Sequence, residues 1–489
     1  MSFFSKIDKN ISDHALLLSC FQFLEWTELL QITSCHPLWN KLITSSSSYS
    51  SLCWKPQIIC FSGYQDFITS SINAPSFCSQ VYNLMLRESI YYVEEEKKEV
   101  PNYIKVIPYV KILQQYKKLE SLDITHESFY LSALLQSPFC TSFFKQLKKL
   151  TLKYKHKNYN KEENIKITQV ICTSLSKACP NLTSLSLLDL YDLPSLKFLE
   201  TWKSTLTELS LERNEIQKDW ESLFNCTKLT SLNLCLMEKE ISVAAVLPFY
   251  LLTNLTSLTL IDKATVLVPN FILPITSSSS SSFISQLKRL ELIPLGLIKS
   301  DHNSFEELKM AYSYLQNIPF TTISSFTFRS SFMKNFVLTK EVISSFTNLT
   351  ELEIDGFVAA QENHNLLECF SPLVKKNLRK LVLEGIQCIK LTCLKECTSL
   401  QELRIRGYKQ IQKKELKTIG NLPALKYLDL YGFYWPKKYF CLLLPLQSHL
   451  ELLNYVPYPR DDSKKRLLKE KEWLDKNLPF TFIKTCEWN

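Results

Sequence analysis

The sequence predicts an α/β solenoid, a curved parallel sheet with helices on its convex side, preceded by a small all-α module. Three observations carry this. At 489 residues, with 45% apolar and 21% charged residues, the chain is too long for one ordinary core and too apolar for disorder. A Leu-x-x-Leu-x-Leu pattern returns through most of its length, and four of only seven glycines fall at one phase of that pattern.

The pattern begins at Leu119 (Leu-Glu-Ser-Leu-Asp-Ile), Leu147, Leu182, Leu206, Leu229, Leu255, Leu287, Leu349, Leu378, Leu400, Leu425 and Leu450. A degenerate copy, Ile323-Ser-Ser-Phe326-Thr-Phe328, fills the widest gap, so successive starts lie 22 to 36 residues apart. Side chains alternate across a strand, so the second and third leucines of each copy point inward and the residues beside them point out. One copy cannot close its apolar face alone, whereas stacked copies share a core to which each leucine contributes about 1.5–3 kcal/mol. The chain must return between strands, and Ile165 to Ala178 and Lys340 to Phe346 have the apolar spacing of short helices. This series resembles the leucine-rich repeat over residues 105–456, about thirteen repeats. The resemblance implies a protein-binding role for the concave sheet.

Gly356, Gly385, Gly407 and Gly432 each lie two residues past the last aliphatic residue of a strand, a position that needs a positive φ or a close backbone approach. Earlier copies lack this glycine. Asn181, Asn254 and Asn348 open Asn-Leu-Thr sequons, but all three precede a strand leucine in one phase, so repeat constraint explains them better than glycosylation. Serine runs at 45–48 and 277–282 read as loops.

Residues 11–54 carry a helical pattern instead: Phe23-Leu24, Glu28-Leu29, Cys35, Trp39-Asn40-Lys41-Leu42 and Ser51-Leu52-Cys53-Trp54. This segment resembles an F-box. The resemblance implies a module over 1–56 that docks on the Skp-type adaptor of a cullin-RING ubiquitin ligase through Leu16, Phe23, Leu24, Leu29, Trp39 and Leu42. Ser12-Asp13 stand where that family has Leu-Pro, and the cysteine-to-tryptophan spacing is one residue longer, with Pro37 between. The alternative is a helical cap over the first repeat. Residues 57–104 read as a linker or degenerate first repeat, with Val81, Leu84 and Leu86 in strand phase, and 457–489 as a basic tail or cap.

The outward positions change chemistry along the array, from Ser184, Ser186, Glu208 and Ser210 through Glu351, Glu353 and Asp355 to Arg404, Arg406, Tyr427, Asp429 and Tyr431. Binding energy concentrates in aromatic and arginine anchors, which marks Arg404, Arg406, Tyr427, Tyr431 and Trp435 as substrate contacts. Phe433 and Trp435 could equally fill the core of the last repeats.

Other classes are disfavoured. A net charge of +9 from 57 basic and 48 acidic residues is too mild for nucleic-acid binding, and the eight lysines of Lys145 to Lys166 read as a solvated loop. No run reaches the 18 or so apolar residues of a membrane helix, and Ala15 to Leu24 makes a poor signal peptide. Sixteen cysteines include no C-x-x-C pair, so they read as buried free thiols, and even Cys388, Cys393 and Cys397 lack a neighbouring histidine for zinc. No motif of an active site or cofactor site is present. The expectation is a non-catalytic substrate receptor without cofactors, cytoplasmic or nuclear, that recruits a protein target to an SCF-type ligase. The alternative is a repeat scaffold with no ubiquitin role.

Overall fold

A computed structural model describes residues 58–61, 83–87, 116–126, 141–154, 161–216, 218–236, 249–262, 286–294, 320–330, 340–356, 368, 370–385, 390–406, 411–433, 437–457, 463–479 and 481–484. The chain forms two compact units, Met1–Cys226 and Thr227–Asn489. In the first, strands β1 (Ile58–Phe61), β2 (Asn83–Arg87), β3 (Ser121–His126), β4 (Lys149–Tyr154), β5 (Ser184–Leu193) and β6 (Glu208–Ile216) pair in chain order, all parallel. Helices α1 (Thr141–Lys145) and α2 (Lys161–Ala178) return the chain, and α3 (Glu221–Phe224) follows β6.

The second unit repeats the scheme with β7 (Ser231–Leu236), β8 (Ser257–Asp262), β9 (Arg289–Pro294), β10 (Ser325–Ser330), β11 (Glu351–Gly356), β12 (Lys380–Glu384), β13 (Glu402–Arg406), β14 (Tyr427–Phe433), β15 (Leu452–Pro457) and β16 (Phe482–Lys484). These too are parallel and in chain order. The connections hold α4 (Lys340–Ser345), α5 (Pro372–Asn377), α6 (Lys413–Gly420), α7 (Ser463–Asn477) and 3-10 segments such as Leu391–Glu396 and Lys437–Ser448. Both units therefore carry the α/β leucine-rich-repeat fold.

Each of the thirteen motif copies opens two residues ahead of a strand, from Leu119 before β3 to Leu450 before β15. Register then stacks equivalent residues. Leu122, Leu150, Leu185 and Leu209 form one ladder, and Leu232, Leu258, Leu290, Phe326, Leu352, Leu381, Leu403, Leu428, Leu453 and Ile483 form another. None of these rungs is more than 7% exposed. The alternate residues face the other way, onto an open face where most of the described side chains are half-buried or exposed.

The residues around each opening leucine serve a second ladder. Thr183, Thr207, Thr256, Ser324 and Thr350 each donate a hydroxyl hydrogen bond to a backbone carbonyl of the repeat before. The sequon asparagines do the same, Asn181 to Lys145, Asn254 to Thr227 and Asn348 to Thr321. Repeat constraint thus accounts for these asparagines, whose amides satisfy carbonyls at the ends of the preceding connections.

Gly385 and Gly432 have φ of 69° and 80°, as their phase predicts. In the earlier repeat of β5, Asp189 occupies the equivalent position with φ 59°, since aspartate is among the few residues that visit the left-handed region. The register shifts beside both Asp189 and Gly432, so this backbone feature is a bulge beyond which the strands pair in a shifted register.

Some expectations change. The described part of the Lys145–Lys166 stretch is not a solvated loop: it includes the end of α1, all of β4 and the start of α2. Lys148 pairs with Glu120 at 2.9 Å and Lys153 lies 3.9 Å from Asp189. Strands also occur before and after the motif series, as β1, β2 and β16. Tyr455 replaces the third leucine of β15, and its hydroxyl donates to Glu470 of α7, a charge otherwise closed off from water. The helical module expected over 1–56, with Leu16, Phe23, Leu24, Leu29, Trp39 and Leu42, lies outside the described residues.

Candidate binding face

The open face of the second unit is built by register. Parallel strands place equivalent outward residues side by side, about 4.8 Å apart, which converts sequence phase into columns of side chains across the sheet. One column runs Arg329, Asp355, Glu384, Arg406, Tyr431 from β10 to β14. Beside it run Glu291, Thr327, Glu353, Val382, Arg404 and Asp429, and then Arg289, Ser325, Glu351, Lys380, Glu402, Tyr427, Leu452 and Phe482.

Four of the expected contact residues come together here. Arg406 donates from Nη2 to Asp429 Oδ2 at 3.0 Å, while its Nη1 lies 3.1 Å from Glu384 Oε1. Its guanidinium stands 5.9 Å from the Tyr431 ring centroid, and that of Arg404 stands 4.8 Å from the Tyr427 centroid, both within cation–π range. Arg404 Nε is 2.7 Å from Glu402 Oε1 but off the hydrogen-bonding direction, so both atoms stay buried without a bonded partner. Asp429 is fully buried, although it stands on the open face, and Arg406 pairs with it there. Trp435, the fifth expected contact, lies outside the described residues, and of Phe433 only the backbone is described.

A second cluster centres on Arg329, which donates from Nε to Glu353 at 2.8 Å and approaches Glu291 at 3.9 Å. Arg329 and Phe482 went unremarked in the sequence reading, yet the phase could have found them. Arg329 follows Phe328 just as Asp355 follows Ile354, and Phe480-Thr-Phe-Ile483 keeps two of the three apolar positions of the motif. Phenylalanine in place of the opening leucine hid the copy that carries Phe482.

Carboxylates outnumber cations on β9 to β14. Glu291, Glu351, Glu353, Asp355, Glu384, Glu402 and Asp429 face Arg289, Arg329, Lys380, Arg404 and Arg406. Burial pushes the carboxyl groups of Asp355 and Glu384 up from their ordinary values; Glu353 raises both and Asp355 raises Glu384, against the pull of Arg329 and Arg406 on Asp355 and of Arg406 on Glu384. Asp355 and Glu384 are register partners, and among the described residues Asp355 has no ion pair. Like charges opposed across strands destabilise a sheet by about 0.2–1 kcal/mol.

A carboxyl whose pKa is raised by folding favours the folded state below the ordinary aspartate value and loses that favour as pH climbs through the raised value. Asp355→Asn should therefore stabilise the protein by about 0.2–1 kcal/mol at neutral pH. The gain should shrink as pH falls through the raised value and vanish below about 4, where the carboxyl is protonated in both states. Thermal unfolding of both proteins across pH checks this, and an unchanged or lowered melting temperature at neutral pH would contradict it.

Nothing on this face has the arrangement of a metal site, and among the described residues no group of three or more histidine, cysteine, aspartate or glutamate side chains could hold a metal ion. The buried thiols act as small apolar groups: burial pushes Cys172, Cys179, Cys226 and Cys397 up to about 12 and Cys393 to about 11, so they stay neutral. No described helix is long and apolar enough to cross a membrane.

No protein-family model and no curated protein matches the chain. Solved structures similar to it include an internalin from Listeria monocytogenes str. 4b F2365, at 16% identity and a TM-score of 0.39, covering 71% of this chain and 82% of the internalin. Another is the TLR13–ssRNA13 complex, at 14% identity and a TM-score of 0.32, covering 84% of this chain and 62% of the TLR13 chain. The fold itself stands on the strand register and the burial of the two ladders.

Proposed function

We propose that this chain is a non-catalytic protein-binding scaffold whose second unit holds a partner protein on its open face. The observation that supports this is the array of Arg404 on Tyr427 and Arg406 on Tyr431, tied down by Glu384, Glu402 and Asp429. Arginine and tyrosine are the side chains from which interfaces draw most of their energy. Their rotamers are already fixed by neighbours, so less conformational entropy is lost when a partner arrives.

The test is affinity purification of partners on the full chain, followed by dissociation constants for wild type and Arg404→Ala with Tyr427→Ala. Arg406 is left intact, because its removal would strand the buried charge of Asp429. Loss of the two anchors should weaken binding at least about tenfold, the equivalent of one hot-spot residue of about 1.4 kcal/mol. Equal affinity would remove the open face from the interaction.

The finer reading is that the scaffold is a substrate receptor in the cytoplasm or nucleus, linked through residues 11–54 to the Skp-type adaptor of a cullin-RING ligase. The F-box resemblance of that segment favours it, and a reducing compartment suits the free thiols. In this role the chain works by proximity, holding its target beside the conjugating enzyme. Co-purification with the adaptor tests it: full recovery of the adaptor by protein lacking residues 1–56 would leave only the scaffold.

A further inference from the structure

We infer that the open face of the second unit takes an extended segment of a partner protein, with a lysine or arginine against Asp355 and Glu384 and a large apolar side chain on Leu452 and Phe482. The inference rests on the protein-binding reading of this face and specifies what the partner must carry.

Charge decides the first contact. The arginines of the face are already committed, Arg329 to Glu353 and Arg406 to Glu384 and Asp429. What remains over is negative: Asp355 has no ion pair among the described residues and stands between its register partners Arg329 and Glu384, Arg329 is bound to Glu353, and Arg406 must divide its charge between two carboxylates. An acidic segment would meet that surplus and be repelled, whereas a cation set between β11 and β12 relieves Glu353, Asp355 and Glu384 together. Burial of both carboxyls makes a partner cation worth more there than at a fully solvated pair.

The second contact is apolar. Tyr427, Leu452 and Phe482 are register partners on β14, β15 and β16. Phe482 is 69% exposed, the highest value among the large described hydrophobic residues that stand out from the surface, and Leu452 beside it is half-buried. The other exposed large apolar residues, Val170, Leu251 and Leu373, lie singly on connecting segments. From the β11–β12 line to the β15–β16 line is four strand spacings, about 19 Å, and the two contacts also lie four residues apart along the strands, about 13 Å, so they are separated by about 23 Å, which an extended chain covers in about seven residues. A basic residue and a large apolar one about seven positions apart are therefore the expected signature.

The test is selection of a random peptide library, long enough to span both contacts, on the full-length protein. Recovered peptides are synthesised and titrated against wild type, Asp355→Asn, Phe482→Ser and Arg404→Ala with Tyr427→Ala. The expected outcome is a consensus with that signature, weakened up to about fivefold by Asp355→Asn. Phe482→Ser should weaken it about tenfold or more. Asp355→Asn removes a repelled charge and Phe482 is exposed, so neither change endangers the fold. Peptides that depend on Arg404 and Tyr427 but lack a basic residue, are acidic, or ignore Asp355→Asn overturn this inference and leave the scaffold reading intact. Peptides indifferent to every substitution, or no enrichment over an uncoated support, overturn both.

Discussion

Replacing Phe326 by alanine is expected to destabilise the protein by about 3–5 kcal/mol, the range for deleting a large aromatic side chain from a core. Phe326 is fully buried and is the one aromatic rung in the second unit's leucine ladder, between Leu290 and Leu352. Its ring lies 6.1 Å from Phe320 and 4.9 Å from Phe346, which stack on each other at 4.9 Å. Three aromatic rings thus fill the volume that leucines fill elsewhere, and none of the others can move into the space without losing its own contacts. Phe326→Leu restores the residue of the neighbouring rungs and should cost less. Stability in a repeat protein passes between neighbours, so the loss should spread from β10 to β9 and β11 and loosen the Arg329–Glu353 pair on the open face. Denaturant unfolding measures the total, and a loss below about 1 kcal/mol for the alanine variant would show that the aromatic trio is not a packed unit.

Gly420→Ala has the second largest expected effect, and here the sign itself is diagnostic. Gly420 is buried at the end of α6, inside helical backbone, where propensity alone predicts that alanine stabilises by about 0.5–1 kcal/mol. A methyl group at this position, however, would overlap the backbone carbonyl of Leu442 in the Lys437–Ser448 segment. That atom belongs to backbone and cannot rotate away, so α6 or the next connection must shift. Overpacking of this kind costs about 1–3 kcal/mol, occasionally more, and outweighs the propensity gain. A lowered melting temperature is expected. A raised one would mean that the two connections do not touch at this point.

These two positions show how unevenly the structure was written in the sequence. The ladder was legible because its cause is local and periodic: strand alternation forces Leu-x-Leu, and stacking forces the same phase in each copy, so Leu185, Leu258, Leu352 and Leu428 could be placed inward before any coordinates. The glycine phase followed for the same reason, and Gly385 and Gly432 do hold positive φ. Gly420 carried no such mark, since its need arises from a connection 22 residues further on. Arg404, Arg406, Tyr427 and Tyr431 were legible as outward residues, and they do lie together. Their pairing was not legible: Arg406 is held by Glu384 and Asp429 from the strands on either side. Phe482 was lost to a copy of the motif with an aromatic residue in place of its opening leucine.

By itself, then, the amino-acid order determined the repeat unit, its phase and the two faces of every strand, because those depend on residues within a few positions of one another. Tertiary structure alone decided which outward side chains meet, which charges are neutralised and which are left over, since neighbours on the sheet stand 22 to 38 residues apart in sequence. Insertions of varying length between copies leave that register intact and hide it from any fixed spacing.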